Sequence, residues 1–209
     1  MLLHFPAKLR PAIAALWRID EAMAAVVDRA SSGATEPALA AIKLAWWREA
    51  LVHLDTADTP PEPRLKAVAE QLLPLGVSGA EVAQLEQGWS AMLGPHPEPA
   101  RIGERGQRLF ALEARLLGCD DPLLSDAGAL TALTEALHRG HDFFAARETL
   151  IARLAGHRVA RKARPITLAA RLAARDPAEP QGTPGRALAL ILHRLNGNIT
   201  GARPAGRSG

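Results

Sequence analysis

"EPALAAIKLAWWREAL", residues 36–51, sets two tryptophans side by side in a chain that has only four tryptophans, four phenylalanines and no tyrosine. At 100° per residue, Leu39, Ile42, Trp46 and Ala50 fall on one stripe, and Leu44, Trp47, Leu51 and Leu54 on a second beside it. Two adjacent apolar stripes predict a helix packed on two sides, with each indole against a different neighbour. Each indole is then either core filler or the wall of a cavity. Thr35 is the expected N-cap, with Glu36 favourable against the helix dipole and Pro37 in the first turn.

The composition agrees with a helical bundle. Of 209 residues, 48% are hydrophobic, and these are mostly alanine and leucine rather than β-branched or aromatic residues. The expected class is all-α, and the length suits one domain with a sizeable core. Apolar periodicity places a first helix from about Pro11 to Ala30, ahead of the tryptophan helix, and a third over Arg64 to Leu73. "SGAE", Ser78 to Glu81, reads as a capping box that starts a helix running toward Leu93. Further helices are expected over Arg101 to Leu117, over a long tract from Asp126 to Leu154 bent at Gly140, over Ala160 to Arg175, and over Pro184 to Leu195. The domain is expected to span residues 1–197, with residues 198–209 a disordered tail rich in Gly, Arg and Pro.

Lys and Arg exceed Asp and Glu by three, with a pI near 9.6. This balance permits an acidic partner or an anionic surface without requiring either. One cysteine, Cys119, excludes an internal disulfide, and the first thirty residues carry charges where a signal peptide needs an apolar run. No run of about 18 apolar residues is present either. A cytoplasmic protein, with peripheral membrane contact left open, is the expectation.

The tryptophan stretch resembles the signature helix of the squalene/phytoene synthase family, in which Glu-Pro leads into an Ile/Leu-rich turn ending in Trp-Trp-Arg-Glu-Ala. "ALWRIDEAMAAVV", residues 15–27, resembles the preceding helix of that family at the same separation. "GHDFFAAR", residues 140–147, is also compatible with the family, and the resemblance in all rests on about a fifth of the chain. It implies the isoprenoid synthase type of helical bundle, with Trp17, Trp46 and Trp47 lining its cavity. The chain is short for that family, which implies a truncated bundle.

In that family, head-to-head condensation of two prenyl diphosphates uses Mg²⁺ held by aspartate pairs on two facing helices. Carboxylates three or four residues apart share a helix face and hold one hard cation with the diphosphate oxygens. Here the resemblance places Met23, Ala24 and Val27 where the family carries those aspartates, and leaves only Asp20 and Asp28, eight residues apart. In the later tract, Glu135, Asp142 and Glu148 are also too widely spaced. The expectation is therefore no metal site, no cofactor and no confident catalytic residue, with Asp20 and Asp28 the weak candidates. Mg²⁺ enters only if the chain is an active prenyltransferase using Asp20 with Asp28 and Glu135 with Asp142.

Asp20 lies on the apolar stripe of its helix and so needs a buried partner, expected to be an arginine from another helix. Asp120 and Asp121, before Pro122, read as turn residues, and His138 with His141 lacks a third metal ligand. Residues 147–175 hold eight Lys or Arg against one acid, Glu148. That stretch is either a solvated face or an anion site in which Arg158, Arg161, Lys162 and Arg164 meet a diphosphate or an anionic lipid. Nucleic acid is not expected, because no aromatic residues interleave with these charges. The resemblance extends to the complex I assembly factors, a branch without catalysis. It implies a non-catalytic assembly factor whose helical shell binds a protein partner or a prenyl or lipid-like ligand.

Overall fold

The computed structural model describes residues 1–201. Among these residues the chain is all-α, with an isolated bridge between Arg158 and Asn198 as its one pairing of extended type. Helix α1 (Arg10–Ser31) starts with Pro11 in its first turn and buries Ile13, Leu16, Ile19, Met23 and Val27. Helix α2 (Pro37–His53) has Glu36, not Thr35, at its N-cap position, with no side-chain capping bond. Proline disfavours the helical conformation in the residue before it, and Glu36 is extended at ψ 141°, so the helix boundary falls directly before Pro37.

The tryptophan helix is buried on one side only, which corrects the two-sided expectation. Leu44, Trp47 and Leu51 pack toward α1 and two short helices, α4 (Gly79–Ala83) and α5 (Glu86–Ser90). Leu39, Ile42 and Trp46 are 47%, 66% and 47% exposed. All three of those neighbours lie on the Leu44 side, so α2 is an edge helix and its other stripe faces out.

Helix α3 (Pro63–Gln71) is capped by the Glu62 carboxylate, which accepts from the Arg64 and Leu65 N–H groups. The capping box forms at Ser78 and Glu81, and Asp55 adds acceptors for the N–H groups of Gly79 and Ala80. The expected single helix beyond it is instead α4 and α5, separated where Gln84 and Leu85 close i−3 bonds.

Helices α6 (Pro99–Leu117) and α7 (Leu124–His138) approach each other closely. A Cβ on Gly106 would lie 2.0 Å from the Gly128 carbonyl oxygen, and one on Gly128 would lie 2.2 Å from that of Gly106. Only glycine at both positions lets the two backbones touch. The expected long tract is broken rather than bent. Gly140, at φ +91°, leaves the helical region, and α8 (Phe144–Leu154) follows as a separate helix.

Helix α9 (Arg164–Ala173) packs on α7 and on α10 (Pro184–Asn196). The start of the expected tail is ordered, a second correction. Ile199 is buried in the core, and its carbonyl accepts from Arg171 at 2.8 Å. A buried guanidinium needs acceptors, and residues 198–201 supply one. The rest of that expected tail, 202–209, lies outside the described residues. One hydrophobic cluster runs from Phe5 to Ile199. Among the described residues no helix is long and apolar enough to cross a membrane.

Candidate functional site

A cavity lies where α1, α6, α7 and α9 meet. It measures about 310 Å³, and Trp17, Phe110, Ile166, Asp20, Glu113 and Glu135 are among its walls. That volume sits at the lower end of the roughly 300–1,000 Å³ usual for small-molecule pockets.

Arg105 on α6 organises its polar side. The side chain is 1% exposed, and Nη1 donates to Asp20 Oδ2 of α1 at 2.6 Å while Nη2 donates to Glu135 of α7. Trp89 completes the cluster. Its indole N–H donates to Asp20 Oδ1 at 2.7 Å, and the Arg105 guanidinium lies 4.0 Å from its ring centroid. Burial opposes the charge on Arg105, but the two carboxylates outweigh it and hold the group firmly protonated. The buried arginine partner expected for Asp20 is therefore present.

Glu113 stands on the same helix two turns further on and is fully buried. Desolvation pushes its carboxyl up to about 8, an effect partly offset by the Trp17 indole N–H that donates to it and increased by the charge on Asp20. Near neutral pH it is a largely protonated acid inside an apolar wall, able to donate a hydrogen bond.

A divalent cation does not fit this arrangement. Asp20 and Glu135 come from facing helices, as a shared metal would require, but a guanidinium occupies the space between them. Asp28 is turned away onto the surface and pairs with Arg139 at 2.7 Å, and Asp142 accepts from the Phe144 N–H. The four acids of the prenyltransferase reading are thus not gathered. Among the described residues no group of three or more His, Cys, Asp or Glu is placed to hold a metal ion.

No family model, curated protein or solved structure matches this chain.

The three expected cavity residues separate. Trp17 lines the cavity, and Trp46 is out on the surface of α2 with its ring edge against Trp47. Trp47 lines a different pocket of about 190 Å³, beside Lys43 and under the Arg64 guanidinium. The expected anion-binding residues divide as well. Lys162 donates to the Gly118 carbonyl at the end of α6, and Arg164 donates to the carbonyls of Arg194 and Leu195 at the end of α10. Both act as helix C-caps. Arg158 and Arg161 remain exposed and, among the described residues, form no ion pair. Asp121 takes a turn role, accepting from the Leu123 N–H at 3.0 Å and meeting His157 Nε2 at 2.8 Å.

Arg105, Glu113 and Trp89 were not anticipated as site residues. For the first two a signal existed. Ile102, Arg105, Leu109, Phe110, Glu113 and Leu117 recur at helical spacing, so both charges interrupt an apolar stripe.

Proposed function

We propose that this chain is a non-catalytic helical binding protein, built on a scaffold that resembles the squalene/phytoene synthases and serving as an assembly or lipid-binding factor. One observation carries this reading: the Arg105 guanidinium stands between the two carboxylates that face each other across the cavity. A prenyl diphosphate would meet the carboxylates of Asp20, Glu21 and Glu135 on the cavity wall, and the Arg105 guanidinium is already committed to two of them. Like charges repel, and a guanidinium already shared by two carboxylates is a weak counter-ion for a diphosphate. A neutral prenyl or lipid-like ligand suits the cavity better. Its chain would lie against Trp17, Phe110 and Ile166, and a hydroxyl or carbonyl would take the Glu113 proton as a hydrogen bond.

The alternative, head-to-head condensation of prenyl diphosphates, has one observation in its favour. Asp20 and Glu135 come from facing helices and share one cavity, on the helices to which the resemblance would assign the acid motifs. Calorimetric titration separates the two readings. The purified protein is titrated with farnesol and with a non-cleavable farnesyl diphosphate analogue, each with and without Mg²⁺. The binding-protein reading expects the alcohol to bind more tightly and Mg²⁺ to change nothing. Tightening of the diphosphate by Mg²⁺ would overturn it and favour the enzyme.

A further inference from the structure

The outer face of α10 is a second feature that the cavity does not use. Leu188, Ile191, Leu192 and Leu195 stand at i, i+3, i+4 and i+7 and are 55%, 57%, 43% and 72% exposed. The opposite face buries Ala189 and His193 against α9. An aliphatic stripe at that spacing, turned wholly outward, is not what a monomer needs for folding.

At the C-terminal end of α10 the charge is of one sign. Beside the C-terminal end of α10 lies a groove of about 530 Å³, where His4, Lys8, Arg161, Lys162 and Arg194 surround an apolar floor that includes Phe5 and Leu116. No Asp or Glu lines it. The three segments that build this side, residues 1–10, 155–164 and 184–196, hold eight of the 25 Lys and Arg and none of the 22 Asp and Glu. Seventeen basic residues against 22 acidic ones are left for the rest of the chain, so a nearly neutral protein has one strongly cationic side. Leu3, 79% exposed, projects from the first of these segments.

We propose that this side, the outer stripe of α10 with the cations of the adjoining groove, is a docking surface for an anionic membrane. Protruding aliphatic side chains reach the acyl boundary while Lys8, Arg158, Arg161 and Arg194 meet lipid phosphates, the arrangement of a helix lying in the plane of an interface. The charge complementarity and the chemistry of the side chains select this occupant. Protein-binding surfaces are centred on Trp, Tyr and buried Arg, and single-stranded nucleic acid stacks on aromatic rings. The exposed apolar residues of this stripe are all Leu and Ile. The inference does not depend on the cavity or on the proposed function.

Sedimentation with vesicles tests it. The full chain is mixed with phosphatidylcholine vesicles and with vesicles containing about one-third phosphatidylserine, at low and at physiological salt. Binding to the anionic vesicles only, weakening as salt rises, is the expected result. The variants are R161E/R194E for the charge and I191S/L195S for the stripe. All four positions are exposed, so the fold tolerates them, and a native circular dichroism spectrum and melting temperature confirm that. Each cation removed from a lipid surface lowers binding about fivefold, so the charge variant is expected to lose at least about 25-fold. The stripe variant is expected to lose at least about tenfold, from the apolar area it withdraws. Equal binding to neutral and anionic vesicles, no binding to either, or full binding by either folded variant would overturn the proposal. Retained binding by W46S, which alters the exposed stripe of α2, confirms that the effect belongs to α10.

Discussion

Replacing Arg105 with methionine tests the central cluster most directly. The substitution keeps an unbranched side chain of similar reach over Trp89 and removes the charge shared by Asp20 and Glu135. Breaking a buried pair from one side costs about 3–5 kcal/mol, because a charge is left in a poor solvent. The two carboxylates do not contribute equally. Asp20 is 13% exposed and keeps only the Trp89 N–H, whereas Glu135 is 41% exposed and can turn to water. Asp20 therefore carries most of the penalty, and the expected loss is near the lower bound, about 3 kcal/mol. For a chain of this size that lowers the melting temperature by roughly 6–12 °C. Urea unfolding followed by circular dichroism gives the free energy, and adding Asp20→Asn should recover most of it, since a neutral amide no longer needs the counter-ion. An R105M variant within about 1 kcal/mol of the parent would show that Arg105 is not the internal counter-ion. So would a double variant no more stable than R105M.

Glu113→Gln is expected to stabilise the protein in a pH-dependent way. The folded carboxyl, raised from 4.5 to about 8, keeps its proton where the unfolded one has lost it, so this group's stability is complete below about pH 4.5 and declines as pH rises toward 8. At about 1.4 kcal/mol per unit, the gain of the variant over the parent should grow from near zero at pH 4.5 to roughly 3–5 kcal/mol at pH 8, as read by urea melts across that range. Gly106→Ala would stabilise an exposed helix but should destabilise this one by about 2–3 kcal/mol, because the added methyl meets the Gly128 carbonyl; a melting temperature at or above the parent's would contradict that packing. Trp47→Ala should cost about 3–5 kcal/mol and Trp46→Ala less than about 1, a contrast that thermal melts of the two variants will show.

The helices could be read from the sequence where the signal is local. Pro11, Pro37, the Ser78–Glu81 box and the apolar spacing of α1 each act within one turn, and the helices begin where those residues place them. The orientation of α2 could not be read. Both of its stripes are equally apolar, and which one is covered depends on where α4 and α5 fall, far along the chain. Gly140 shows the same limit: in sequence a glycine inside a periodic tract fits a bend or a break, and a positive φ decided for the break. For the site, Asp20 announced its need for a partner by interrupting an apolar stripe. Arg105 and Glu113 interrupt the stripe of α6 in the same way, so the buried cluster was legible on both helices to a reader tracking charged residues against the apolar period. Lys162 and Arg164 misled because charge density does not show which cations are used as helix caps. Their carbonyl partners lie 44 and 30 residues away along the chain.

The cavity and the cationic side are neighbours, and of the residues that line the cavity and the groove only Pro165, in the first turn of α9, is shared. Carboxyl groups lie on one side of that turn and cations on the other, so a neutral chain and an anionic headgroup are drawn to different places. This makes the two proposals separable by a substitution on the cavity side alone. Ala169 is one turn further along α9, lines the cavity and does not line the groove. Ala169→Phe places a benzyl ring in a 310 Å³ space where a prenyl chain would lie. It should abolish farnesol binding in the calorimeter and leave sedimentation with anionic vesicles unchanged. If a folded A169F protein also fails to bind vesicles, the cavity and the α10 face work as one lipid site, and lipid binding at the surface requires the cavity to be open.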